Sequence, residues 1–402
     1  MTTPRLVARD PGTFPSARSV PFSRPSIGDE EIEEVVRCLR SGWITSGPLT
    51  AQFEKDFAAY VAVPQALAVS SATAGLHLMM LALDLKPGDE VITTPMTWPA
   101  TVNAILFAGG TPVFSDIEPD TLNLDVPLVE KKLGPKTRAI LPVHFAGQPC
   151  DMDRLVELAR PGNITLVEDA AHAIGAELRG RRIGGLESAA AIFSFHPIKN
   201  ITTAEGGMVT TGDAELGHRL RLLRFHGVER DAWRAYGRQQ LPRYDVAIPG
   251  LKYNLTDLQA ALGIHQLRKL DRFIAERARL ARRYDEAFAD VAEVRPLGPV
   301  TYRHRHAHHL YTVRVETERL TIDRDQFAVE LQALGVGVGF HFTAVHELTY
   351  YRRHLGEFSA ELPVATAASR SLLSLPLFPS LGEEDQDYVI DCVRRIVRAR
   401  RR

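Results

Sequence analysis

Ala191-Ile-Phe-Ser-Phe-His-Pro-Ile-Lys199-Asn-Ile-Thr-Thr-Ala-Glu-Gly-Gly-Met-Val-Thr210 is the stretch around which the rest of the 402-residue chain is organised. Its apolar opening, Ala189 to Phe195, reads as a buried strand. His196-Pro197 breaks that run, because proline locks the backbone and removes a donor. One lysine follows among small and hydroxyl residues, and Gly206-Gly207 leads into a second apolar run. In a loop a lone lysine is ordinarily a solvated charge. Between two core strands a permanent ammonium is costly, and an amine that is partly desolvated, or tied up as an imine, suits the place better. The stretch therefore points to a Schiff-base lysine, provided that the rest of the chain supplies what a carbonyl cofactor needs.

Working outward, a strand–helix alternation precedes the lysine. Short apolar runs at Ala66–Ser70, Glu90–Thr93, Pro112–Ser115, Arg138–Val143 and Ile164–Glu168 read as strands. Helical patterns at Leu76–Leu83, Pro99–Phe107, Val126–Leu133 and Asp151–Ala159 lie between them. Continuous rather than alternating apolar runs indicate strands buried on both faces. The order implies a mostly parallel sheet with right-handed crossovers, whose ligands sit outside the carboxyl ends of the strands. Two amphipathic helices, Asp29–Leu39 and Thr50–Tyr60, come first. A long helix from Leu255 to Phe288 connects to a smaller α+β part. That part has strands at His309–Val315 and Val336–His341, and helices at Arg324–Leu334 and Leu381–Val397. The expected organisation is a loosely ordered leader over 1–20, a large domain over 21–266 and a small C-terminal domain over 267–402.

The balance of 48 Lys+Arg against 49 Asp+Glu, a net charge of -1, speaks against a dedicated nucleic-acid binder. No apolar run has the length of a membrane span, and residues 1–20 lack the apolar segment of a secretory signal. Cys38, Cys150 and Cys392 are scattered, with no CxxC, so a reduced, cytoplasmic setting is the simplest expectation. The basic tail Arg394–Arg402 reads as a helix end whose charges suit the negative pole of the helix dipole.

Most strand ends carry something polar, small or aromatic. Ser70-Ser-Ala-Thr73 at a helix start is either a simple N-cap or a phosphate seat. Trp98 is either core or a platform for a planar ring. Gln148 is able to donate to a ring oxygen. Asp169 is either a helix cap or the carboxylate that keeps a pyridine nitrogen protonated, which makes pyridoxal phosphate an electron sink. His172, three residues on, shares that face as a supporting or structural residue. Convergence of these groups with Lys199 is more specific than any one of them.

Five motifs resemble the DegT/DnrJ/EryC/StrS family of sugar aminotransferases. They are Ser41-Gly-Trp-Ile-Thr-Ser-Gly-Pro48, Ser70-Ser-Ala-Thr-Ala-Gly75, Gly88-Asp-Glu-Val-Ile92, Glu168-Asp-Ala-Ala-His172 and Ser194-Phe-His-Pro-Ile-Lys-Asn200. The resemblance runs from about Pro21 to the last helix. It implies an α/β fold of fold-type I, with a mostly parallel central sheet, helices on both faces and a smaller C-terminal α+β domain. It also implies pyridoxal 5′-phosphate as cofactor, with Lys199 bonded to it as an imine and Asp169 at the ring nitrogen. Trp98 would lie against the ring, and Ala72, Thr73 and Ser194 would hold the phosphate. The family's active sites form between two subunits, which makes Asn254 in Lys252-Tyr-Asn254 a candidate contact to a neighbour's cofactor. His341 and His346 match the substrate-side segment, although both also read as packing histidines.

Within the family the pattern comes nearest to the branch that makes UDP-4-amino-4-deoxy-L-arabinose. Phe225-His-Gly227, Pro249-Gly-Leu-Lys-Tyr-Asn-Leu-Thr-Asp257 and Ser374-Leu-Pro-Leu-Phe-Pro379 echo it. Thr343, Pro197 and Thr203 depart from it, where arginine, alanine and cysteine would be expected. The expectation is therefore ping-pong transamination of a nucleotide-linked ketosugar by a homodimer, with glutamate and 2-oxoglutarate as the other pair. A keto-cyclitol substrate, a regulatory protein that keeps the fold, and a cofactor-free binding protein are the rivals. Lys199 and Asp169 both speak against the regulatory protein, and a yellow colour with a borohydride-reducible adduct would speak against the cofactor-free one.

Overall fold

Seven strands form the central sheet of the computed structural model, which describes residues 18–229 and 245–402. They are β1 (Gln65–Val69), β2 (Glu90–Thr93), β3 (Thr111–Phe114), β4 (Thr137–Leu141), β5 (Thr165–Asp169), β6 (Ala190–Ser194) and β7 (Gly207–Thr211). Their order across the sheet is β1-β7-β6-β5-β4-β2-β3. The β2–β3, β2–β4, β4–β5 and β5–β6 pairs are parallel. Strand β7 is antiparallel to both of its neighbours, β1 and β6. A bend without a helix joins β6 to β7, and parallel pairing needs a longer crossover than that bend provides.

Both faces of the sheet are covered, which is why its strands read as continuous apolar runs. The helices are α1 (Asp29–Ser41), α2 (Pro48–Val61), α3 (Ala72–Ala82), α4 (Pro99–Phe107), α5 (Val126–Lys132), α6 (Met152–Ala159), α7 (Ala214–Arg224) and α8 (Asp257–Phe288). Ala66, Ile140 and Phe193 pack on one face with Phe53 and Phe57 of α2 and Ile264 of α8. Leu67, Leu141 and Ile192 pack on the other with Met79 of α3, Ile105 of α4 and Leu220 of α7. Helix α2 has no side-chain cap of its own. The buried Asp257 carboxylate at the start of α8 replaces it, accepting from the N–H groups of Gly47 (2.7 Å) and Thr50 (2.8 Å).

Helix α8 serves two cores. Ile264 to Ile274 belong to the large sheet, whereas Leu280, Tyr284 and Phe288 enter a second core. There they pack with the antiparallel sheet of β8 (Val294–Pro296), β9 (Tyr311–Val315) and β10 (Leu372–Leu375). The flanking helices are α9 (Arg324–Ala333) and, after α10 (Thr349–Leu355) and α11 (Pro363–Ser371), the terminal α12 (Glu383–Arg400). Where α8 changes cores, Arg277 is only 2% exposed. Its Nη1 donates to the carbonyls of His308 (3.3 Å), His309 (3.2 Å) and Leu377 (2.9 Å).

Several local expectations change. The stretch Val336–His341 is not a strand, because it pairs only singly, through Val20↔Val336 and Gly339↔Ser374. Helix α7 and strands β8 and β10 were not legible in the periodicity. Most of the expected leader, residues 1–17, lies outside the described residues. Its end is tied down, since Val20 is fully buried and Arg18 pairs with Asp385 at 2.8 Å. In the basic tail Arg394, Arg400 and Arg401 pair with Asp290, Glu330 and Glu293, each at 2.8 Å. Among the described residues no helix is long and apolar enough to cross a membrane.

Candidate active site

A cavity of about 380 Å³ opens at the carboxyl edge of the large sheet. Because β7 runs the other way, it brings its amino end, Gly206-Gly207, to the same edge. After β1, Ala72 and Thr73 line the cavity; after β2, Trp98 and Thr101; from β5, Asp169 and His172; from β6, Ser194 and Lys199. The strand ends expected to converge do so at these residues.

Lys199 sits on a tightly bonded bend. The Phe195 N–H donates to the Gly206 carbonyl (2.9 Å), and the Phe195 carbonyl accepts from the Thr203 N–H (3.0 Å) and the Thr202 hydroxyl (2.9 Å). Asn200 Nδ2 donates to the Ala307 carbonyl at 2.7 Å and fixes the far side of the bend. Burial pushes the Lys199 ammonium down to about 8, against the opposing charge of Asp169. An amine brought this low is partly free near neutral pH, and a free amine in a cleft is a nucleophile and a base.

Asp169 is 4% exposed, and burial raises its pKa above the ordinary carboxylate value. Two donors and nearby positive charge oppose that rise. Thr101 Oγ1 donates to Oδ2 at 2.7 Å, the Ala171 N–H donates to Oδ1 at 3.1 Å, and Lys199 lies near enough to act through its charge. No ion pair reaches Asp169 among the described residues. Beneath it, His144 Nδ1 accepts from the Cys150 N–H (3.0 Å), so Nε2 carries the proton toward Glu168 (2.9 Å).

Helix α3 starts beside β7. Ser71 caps it by accepting from the Ala74 N–H at 3.1 Å, while the N–H groups of Ala72 and Thr73 precede the helical ladder. Gly207 permits this approach, for a Cβ there would lie 2.7 Å from both Ala72 N and the Phe193 carbonyl oxygen. Such a helix start is a ready anion seat. Trp98, 64% exposed, extends beside Phe342.

His341 lines the same cavity, hydrogen-bonded through Nδ1 to Ser374 Oγ (3.0 Å) and stacked on Phe22. Burial and the charge of Lys199 lower its pKa to about 4. Burial first, then the charges of Lys199 and His341, keeps His172 neutral as well.

Two of the expected site residues are elsewhere, and Asn254, expected at a neighbour's cofactor, lies outside this chain's own cavity. Gln148 lies outside this cavity, because the chain turns through left-handed Ala146 and Gly147 and points the amide to the Gly298 carbonyl (3.2 Å). His346 is 1% exposed and bonded to Thr366 Oγ1 (3.0 Å), since the turn after Thr343 carries it into the packing of α11. Asn254 bridges to Val69 and donates to Ser46 Oγ (2.5 Å), away from this chain's own cavity. Conversely, Thr101, Gly207, Phe342 and His309 belong to the site or support it and were not singled out. Thr101 and Gly207 matter only through contacts with Asp169 and α3, for which their sequence neighbourhood carries no signal.

A model of the DegT/DnrJ/EryC1/StrS aminotransferase family matches residues 25–394. Among solved structures, the chain is similar to Spr1654 from Streptococcus pneumoniae, described as a sugar aminotransferase and captured in its PMP form. They share 35% identity over 95% of this chain and 98% of that one, with a TM-score of 0.87. DesV from S. venezuelae is 37% identical over 91% of this chain and 94% of its own, with a TM-score of 0.82. PseC from Helicobacter pylori, an aminotransferase involved in the biosynthesis of pseudoaminic acid, is 29% identical. That match covers 95% of this chain and 100% of PseC, with a TM-score of 0.87.

Proposed function

The chain belongs to the DegT/DnrJ/EryC1/StrS aminotransferase family, and on that premise we propose that it aminates a nucleotide-linked (UDP or TDP) ketosugar at C4, with glutamate as donor. It is a pyridoxal-phosphate-dependent aminotransferase of fold-type I. The observation that carries the site reading is the meeting, in one cleft, of a Lys199 amine brought down to about 8 with a buried Asp169 carboxylate that has no ion pair among the described residues. The likeness to PseC supports a sugar substrate. Exposed Thr343 lacks the guanidinium expected of the arabinose branch, so the proposal stops at the class of sugar.

The residues present fit the cofactor. Lys199 suits its aldehyde, Asp169 its ring nitrogen, Ala72, Thr73 and Ser194 its phosphate, and Trp98 its ring. When bound, pyridoxal phosphate supplies a carbonyl that condenses with amines and a ring that takes up the electron pair released beside it. Asp169, buried and held by Thr101 and Ala171, supplies the negative charge that keeps a ring nitrogen protonated. Lys199, once a donor amine had taken its place, would be the base that takes the donor's Cα proton. With its pKa about 8, a useful fraction of the amine is free at neutral pH. His341, neutral and anchored on Ser374, presents a polar edge to the sugar side of the cleft. Lys252–Asn254, turned from this chain's cavity, is proposed to serve the cofactor phosphate of a second copy in a homodimer.

The test is direct. Lys199→Ala should bind pyridoxal phosphate without a borohydride-reducible adduct and lose turnover; full turnover in that variant would sink the reading. UDP- and TDP-4-ketosugars should be aminated where an inosose is not, and the reverse preference would overturn the substrate class.

A further inference from the structure

His309 stands directly behind the cleft. It is 2% exposed, and neither ring nitrogen has a hydrogen-bond partner among the described residues. Its ring lies 4.4 Å from that of His172, tilted by 44°. His172 lines the cavity, and its Nδ1 is likewise buried without a partner among the described residues. Phe342 stacks on the His172 ring at 5.8 Å.

The segment that carries His309 is firmly held. The His309 N–H donates to the Ala146 carbonyl (2.9 Å), and its own carbonyl accepts from buried Arg277 (3.2 Å). Gly147 lets this segment press against the site, since a Cβ there would sit 2.8 Å from the His172 carbonyl oxygen and 3.2 Å from His309 N. Leucine or phenylalanine at 309 would fill similar space without two unpaired polar atoms. Packing alone therefore does not account for an imidazole.

We propose that His309 is a positioning residue for the reaction: one of its ring nitrogens pairs with His172 Nδ1 and so decides which His172 nitrogen carries the proton. A neutral imidazole has one donor and one acceptor, and the bond made by one nitrogen sets the tautomer of the other. With His309 donating to Nδ1, His172 presents an Nε2–H donor to the cleft. From 4.4 Å between centroids, a turn toward edge-on geometry with a slight separation of the rings brings an N–H of one to a nitrogen of the other. The surroundings hold both rings neutral: burial comes first, with the positive charge of Lys199 beside both rings and of Arg277 beside His309. This inference rests on the cleft being the aminotransferase site.

The experiment compares His309→Phe and His309→Gln in the full chain. Three readouts are needed: urea unfolding without cofactor, the visible absorption of bound cofactor against pH, and the half-reaction with L-glutamate or L-glutamine, whichever converts the wild type. His309→Phe should fold at least as stably as the wild type. Its half-reaction should slow by about 10- to 100-fold, with a displaced midpoint in the absorption titration. His309→Gln, which restores an N–H donor, should recover most of both. A His309→Phe enzyme with wild-type rate and titration overturns the inference, as does His309→Gln no better than His309→Phe at equal stability. A wild type with no visible band refutes the functional reading and this inference together, whereas a normal wild-type band with an unaltered His309→Phe refutes this inference alone.

Discussion

Replacing Asp169 by asparagine should make the cofactor-free chain more stable and the loaded enzyme slower. The carboxyl is 4% exposed, and burial raises its pKa above the ordinary 3.8 despite the Thr101 and Ala171 donors and the Lys199 charge. Below pH 3.8 the group is protonated in both folded and unfolded chains and contributes no difference. As pH rises, the unfolded chain ionises first, and each pH unit by which the folded carboxyl lags costs about 1.36 kcal/mol of stability. Asparagine escapes this cost while keeping both contacts, its oxygen accepting from the Ala171 N–H and its amide donating to Thr101 Oγ1. The stability gain in urea should therefore be absent well below the ordinary pKa and grow as pH rises through it. In the loaded enzyme the loss is that of a charged hydrogen bond, about 1.5–3 kcal/mol, or about 10- to 150-fold in rate. An Asp169→Asn chain that gains nothing between acid and neutral pH, or that turns over at the wild-type rate, would refute this account of Asp169.

Three further outcomes follow from the geometry. Because the free amine attacks, capture of pyridoxal phosphate by the cofactor-free chain should accelerate as pH rises through about 8, where Lys199 loses its proton, and level off above; stopped-flow absorbance giving a flat profile would contradict this. Gly207→Ala places a Cβ 2.7 Å from Ala72 N and the Phe193 carbonyl oxygen, so folding should lose about 1–3 kcal/mol and cofactor affinity should fall in a spectroscopic titration, with wild-type values in both as the contrary result. Arg277→Ala strands the carbonyls of His308, His309 and Leu377 and opens a cavity, which should cost about 3–5 kcal/mol in urea unfolding; a loss below about 1 kcal/mol would mean that those carbonyls find other partners.

The sequence by itself determined the layered α/β plan, the edge of the sheet that holds the site, and the roles proposed for Lys199 and Asp169. These are local or periodic signals: apolar runs buried on both faces, proline and glycine breaks, and polar residues where strands end. Tertiary structure decided what depends on direction and long-range contact. It turned β7 antiparallel between β1 and β6, which brings Gly206-Gly207 to the lysine. It swung Gln148 away through two left-handed residues and sank His346 into the packing of α11. It set Thr101 against Asp169 and His309 against His172, pairs far apart in the chain. Periodicity reports which face of an element is buried; it does not report which distant side chain meets it there, and in this cleft those meetings set the charge on Asp169 and the surroundings of His172.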